Sequence, residues 1–127
     1  MAVHQAQPRI RTRSSRTAAY TCFSRACATR EADPRFRGPD TLAERILPLL
    51  ARVVLNLSPL RKWFMQKLFP PGIYEYVLTR TKVMDEAFVD ALKARLPQIV
   101  LLGAGFDTRA LRFANWNAGT QIFELDV

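Results

Sequence analysis

Apolar positions recur every three or four residues through most of this chain and close up into unbroken runs only near its end. Residues 14–30 suit a helix, with Ser14 or Ser15 placed to cap it. "EADPRFRGPD", residues 31–40, is a break, because Pro34, Gly38 and Pro39 interrupt any helix and predict an ordered turn. A second helix is predicted from Thr41, with Glu44 three residues on in capping-box spacing. Its apolar set is Leu42, Ile46, Leu49, Leu50 and Val53, with a kink at Pro48. "SPLRKWFMQKLF", residues 58–69, reads as a short helix capped by Ser58 with Pro59 at its first position, and "PPG" at 70–72 stops it. Its mixture of basic and aromatic residues fits a lid or packing helix better than a membrane-surface segment, because it is short and only moderately charged.

The next helix is predicted over 73–96. At about 100° per residue, Ile73, Val77, Met84, Ala87, Phe88 and Ala91 fall on one face, while Glu75, Lys82, Glu86 and Lys93 lie opposite. Arg80 falls in the middle of the apolar face. An unpaired buried charge is very costly, so this arginine is expected to meet an anion, either a protein carboxylate or the carboxylate or phosphate of a ligand.

Pro97 ends that helix. Ile99 to Leu102 is a continuous apolar run, the form of a strand buried on both faces of a parallel sheet. A glycine turn follows, then a helix from Thr108 in "TRALRFANW" and a second strand over 121–127. Strand, helix and strand in this order predict a β-α-β unit with parallel strands.

Composition changes this picture in two places. The 127 residues carry a formal net charge of +8, but residues 1–30 hold six arginines and no acidic residue, whereas 31–127 hold 13 basic and 11 acidic side chains. The head, "PRIRTRSSRTAAYTCFSRACATR", has the composition of a transit peptide or a basic arm, and is most simply a terminus leading into a helix with its arginines in water. It has only Tyr20 and Phe23 to stack on bases, which argues against nucleic acid as a partner. No apolar run approaches ~18 residues, so no membrane span is expected. Cys22 and Cys27 are the only cysteines and His4 the only histidine, which excludes a zinc site and predicts two buried free thiols in a reducing cytoplasm.

The candidate chemistry lies in "QIVLLGAGFDTRA", residues 98–110. In Gly103-Ala104-Gly105 the first glycine permits a tight turn out of the strand, and the second lets a ligand approach the backbone with no Cβ in the way. The helix behind the turn is expected to aim its amides at that ligand. A nucleotide-type ligand carries a ribose, read by a carboxylate about 20 residues on, at the end of the next strand. Asp126 is 23 residues after Gly103; Glu124 lies deeper in the strand. The third glycine of a dinucleotide fingerprint would stand at 108, which is Thr108, and Asp107 is unfavourable beside a pyrophosphate. Both details favour S-adenosylmethionine over a nicotinamide dinucleotide, and its methionine carboxylate supplies an anion for Arg80.

These residues resemble a known family. "DPRFRGPDTLAERILP", "YEYVLTRTKVMDEAF", "QIVLLGAGFDTRALRF" and "FELD" are similar, in order and spacing from about residue 17 onward, to the leucine carboxyl methyltransferase superfamily, above all its bacterial branch of S-adenosylmethionine-dependent methyltransferases. The resemblance implies an α/β fold: a helical N-terminal extension over residues 17–96 that covers the active site, then the start of a Rossmann-like methyltransferase domain at 97–127, with residues 1–16 a basic terminus. It implies S-adenosyl-L-methionine held by Arg80, Gly103, Ala104, Gly105 and Asp126, no metal, and methyl transfer to a carboxyl or hydroxyl oxygen of a small molecule. No residue here is identified as a general base. Proteins of the family are about twice as long, and a doubly wound sheet has five or more strands, so the chain is expected to be an N-terminal part that is inactive by itself. The rival readings are a non-catalytic or nucleic-acid-binding module built on the basic head, and an NAD-linked oxidoreductase, which leaves Arg80 without a role.

Overall fold

A computed structural model describes residues 16–126 of the chain. Four helices come first: α1 (Arg16–Ala28), α2 (Ala43–Ile46), α3 (Leu49–Asn56) and α4 (Ser58–Leu68). The long helix α5 (Ile73–Lys93) leads to β1 (Gln98–Leu102), a one-turn helix α6 (Arg109–Arg112), a 3-10 turn (Ala114–Trp116) and β2 (Gln121–Leu125). The fold is thus a mixed one, with helices followed by a small parallel sheet. The expected caps Ser14 and Ser15 lie outside the described residues.

Helix α1 is the hub of the helical part. Small side chains (Cys22, Ala26, Cys27) and Phe23 lie on its buried side, and against them pack Ala43 of α2, Leu55 of α3 and Leu47 between those helices. Tyr20 meets Phe69 edge-on at 6.0 Å and Phe23 meets Phe64 at 6.4 Å, which ties α4 to the same core. The break at 31–40 folds back on α1: Gly38 N–H donates to Ala28 C=O at 2.9 Å, and a Cβ on Gly38 would stand 2.6 Å from the Ala28 Cβ. Only glycine fits there.

Three expectations need correcting. Thr41 caps nothing; Asp40 accepts the Ala43 N–H at 3.0 Å, while Glu44 takes a two-oxygen contact from Arg30 at 2.9 and 2.8 Å. A buried carboxylate therefore caps α2 from two residues upstream of Leu42. Pro48 breaks the helix instead of kinking it, because the residue before a proline is pushed out of the helical region, and Leu47 is extended with ψ 143°. Ser58 lies inside α4 and caps nothing; Leu57 stands at the cap position.

The fourth correction matters most. The buried side of α5 is Val77, Leu78, Thr81, Asp85, Phe88 and Leu92. It lies about a quarter-turn from the face read from the sequence, of which Ile73, Met84 and Ala87 are exposed. Arg80 is exposed as well. Its presumed burial, and the need for an anion that followed from burial, do not hold.

The strands β1 and β2 pair in parallel, Ile99 with Ile122 and Leu102 with Leu125. β1 is not buried on both faces: exposure alternates along it, and Val100 and Leu102 face outward. β2 ends at Leu125, so Asp126 falls outside the strand predicted over 121–127, and position 127 lies outside the described residues. Two strands offer only one ladder, and the described helices cover only part of one side.

Candidate functional site

The turn after β1 is shaped by its glycines. Gly103 and Gly105 both have positive φ, 63° and 54°, in the left-handed region where a side chain on Cα would be strained. Around Gly103 no atom lies within 4 Å of where a Cβ would be, so its surface opens outward. Gly105 is enclosed on one side: a Cβ there would lie 3.1 Å from the Ala18 Cβ of α1 and 3.6 Å from Asp126 Oδ2. Ala104 N–H donates to Leu125 C=O at 3.1 Å, and Asp107 N–H to Ala104 C=O at 2.9 Å. The turn and the end of β2 are thereby clasped together, so Gly103, Ala104, Gly105 and Asp126 form one surface.

Arg80 is not part of that cluster. Among the described residues, none of the hydrogen bonds and ion pairs involves its guanidinium. It projects from α5 into open surroundings, a cation available to a ligand but not preset against one. Glu124 is exposed within β2, one residue short of the strand's last ladder pair.

The helix behind the turn also differs from expectation. α6 has only four residues, too few for a useful macrodipole. Its first N–H, at Arg109, donates to Asp107 Oδ1 at 2.8 Å. That amide is spent on the protein's own carboxylate, so the first amide of the helix is not offered to a ligand.

What holds the turn is a set of buried charges that sequence reasoning missed. Asp85 on α5 accepts two parallel bonds from Arg112, at 2.7 and 2.6 Å, and stands 2.9 Å from Arg109 Nε. Arg109 also pairs with Asp107, and Arg112 Nε donates to Thr108 Oγ1 at 3.0 Å. On the other side Arg25 of α1 lies 2.9 Å from Asp40 and donates to the Phe106 carbonyl inside the turn. Arg112 Nε is 3.5 Å from Asp40, which joins the two halves. These three arginines and three aspartates are at most 13% exposed and sum to zero charge.

The contacts of Arg25 Nε and Arg109 Nε are attractive but not directed: each nitrogen is close to its oxygen, yet its N–H points off line, and neither atom has a hydrogen-bond partner. Desolvating each ion costs several kcal/mol, and pairing at an effective dielectric of about 20 gives back a similar amount. The network therefore adds little net stability. Removing one member is another matter, at about 3–5 kcal/mol, because its partners stay buried and unpaired.

Three groups of the helical part, Cys22, Cys27 and Tyr74, are set away from neutral-pH chemistry. Burial pushes the Cys27 thiol up to about 12 and raises Cys22 also, so both are neutral and unreactive near pH 7. Burial, then its bond to Glu31 at 2.7 Å, raises the Tyr74 phenol. No general base is poised among them. Among the described residues no group of three metal-ligating side chains comes together, and no helix is long and apolar enough to cross a membrane.

Comparison with known proteins gives this geometry a context. The chain is 33% identical over 121 residues to a protein of Mycobacterium ulcerans (strain Agy99) named "Putative S-adenosyl-L-methionine-dependent methyltransferase", covering 87% of this chain and 37% of that one. A protein of the same name from Mycolicibacterium paratuberculosis (strain ATCC BAA-968 / K-10) is 38% identical over 100 residues, covering 71% of this chain and 32% of its own length. The chain thus spans about a third of the length of the curated relatives it matches. No solved structure matches it. The sequence pattern of one family, Leucine carboxyl methyltransferase, matches residues 18–127, from the start of α1 through the turn and both strands. This chain belongs to the leucine carboxyl methyltransferase family.

Proposed function

We propose that the chain supplies the first part of an S-adenosyl-L-methionine site in a Rossmann-like methyltransferase that acts on a carboxyl or hydroxyl oxygen of a small molecule. Family membership and the relatives' names support the cofactor class. The observation that carries the reading is the Asp126 carboxylate beside Gly105, at the mouth of a turn whose Gly103 surface is open. A carboxylate in that position suits the paired hydroxyls of a ribose, and a turn free of Cβ atoms suits a ligand lying against backbone.

In this reading Asp126 binds the ribose, and the turn from Gly103 to Gly105 seats the ligand. Arg80 is the partner for the methionine carboxylate. Among the described residues its guanidinium has no partner, which suits that role. The bound cofactor supplies a methyl group already activated on a sulfonium, so the protein's task is to align the acceptor oxygen and exclude water. The sheet here has two strands, and the relatives are far longer than this chain. The 127 residues alone are accordingly expected to bind cofactor without turning over an acceptor.

Ligand-observed saturation-transfer NMR tests this with two ligands, S-adenosylmethionine and methylthioadenosine, which lacks the carboxylate. The reading expects both to receive saturation at their ribose protons, with NAD unable to compete. Arg80→Leu should weaken only S-adenosylmethionine. Equal weakening of both ligands would remove Arg80 from its role, and no saturation of either would overturn the reading.

A further inference from the structure

The glycine turn needs something to hold it. Its backbone makes few hydrogen bonds of its own, and positive φ at Gly103 and Gly105 is one choice among many for so permissive a residue. The missing restraints come from side chains. Arg25 binds the Phe106 carbonyl, Arg109 binds the Asp107 carboxylate, and Arg112 binds the Thr108 hydroxyl. Each of these arginines is itself anchored on a buried aspartate: Arg25 on Asp40, and Arg109 and Arg112 on Asp85.

We infer that Asp85 is a positioning residue for the cofactor turn. Working through Arg109 and Arg112, it fixes Asp107 and Thr108 and so sets the shape of the Gly103–Gly105 surface. This inference rests on the reading of that surface as the cofactor site. Asp85 suits the task because it sits on the 21-residue α5, the longest element among the described residues, and makes contacts with two arginines one helical turn apart. Arg112 lies between Asp85 and Asp40, so the anchor extends to α1, whose Ala18 packs on Gly105. The turn, α1 and α5 are therefore linked by charge.

A merely structural role would destabilise the chain as a whole; a positioning role would loosen the turn selectively. Hydrogen exchange of the 127-residue chain separates the two and needs no ligand. In Asp85→Asn the exchange of the two hydrogen-bonded turn amides, Ala104 and Asp107, should rise about tenfold more than that of α1 and α3. Arg112→Lys keeps the charge but loses the two-bond fork, and should give a smaller rise in the same peptides. S-adenosylmethionine binding should weaken in the same order. Unchanged turn exchange in either folded variant overturns the inference, as does an equal rise across α1, α3 and the turn. If Asp85→Asn loses protection everywhere, Arg112→Lys decides by the same two outcomes. Absence of binding by the wild-type chain would count against the cofactor reading alone, since the exchange result stands without it.

Discussion

The helical part and the sheet of this molecule solve opposite problems. From α1 to α4, residues close a core of their own: Cys22, Ala26, Ala43 and Leu55 reach 0% exposure. From β1 to β2 the apolar side chains remain open, with Leu102 at 78% and Leu125 at 54% exposed. The difference teaches where the site gets its rigidity. The strands carry the candidate ligand surface but little packing, so the turn between them borrows its order from α1 and α5 through buried charges.

Matched substitutions sharpen that contrast. Leu55→Ala empties a fully buried position and should cost about 2–5 kcal/mol, whereas Leu102→Ala should cost less than about 0.5 kcal/mol; urea denaturation of both variants checks this. Comparable losses would mean that the sheet is as well packed as the helices. Gly38→Ala, which drives a Cβ into Ala28, should cost roughly 1–3 kcal/mol. Gly103→Ala has open space and meets only the positive φ, at about 1 kcal/mol. If the two glycine variants reverse order in thermal melts, the tight seat of the 31–40 loop on α1 is wrong.

The helical core should also show in alkali. The ordinary value of a thiol here is 9.0, and burial raises Cys27 to about 12. Between these values the unfolded chain has lost the proton that the folded chain keeps, so stability is complete below pH 9 and falls as pH rises toward 12. At pH 10 the loss is on the order of 1 kcal/mol for Cys27. Cys27→Ala should flatten this limb of the stability profile measured from pH 8 to 10, and an unchanged slope would show that the thiol is not held neutral by burial.

Much of the architecture was legible in the sequence. The helix over Ser58–Leu68, the stop at Pro70–Gly72, the strand–turn–helix order and the pairing of the glycine turn with Asp126 all follow from local signals: a proline at a first helical position, an apolar run, a glycine pair. The buried side of α5 was not legible. Thr81 and Asp85 are polar residues that a hydrophobic pattern assigns to water, and what neutralises Asp85 lies 24 and 27 residues away at Arg109 and Arg112. Periodicity reads one helix at a time, whereas charge compensation here spans three elements. One signal was present: Arg109 and Arg112, three apart in "TRALR", lie on one side of the same short helix and ask for a shared acid. Arg80, which the pattern placed among apolar residues, is exposed to water, where its cost is small.

The central claim is that Asp126 and the glycine turn form one ligand surface. Isothermal titration of the 127-residue chain with S-adenosylmethionine, beside Asp126→Ala, tests it most directly. The account predicts saturable binding that is lost in Asp126→Ala while hydrogen exchange in α1 and α3 stays at wild-type levels. Equal binding by the two proteins would contradict it.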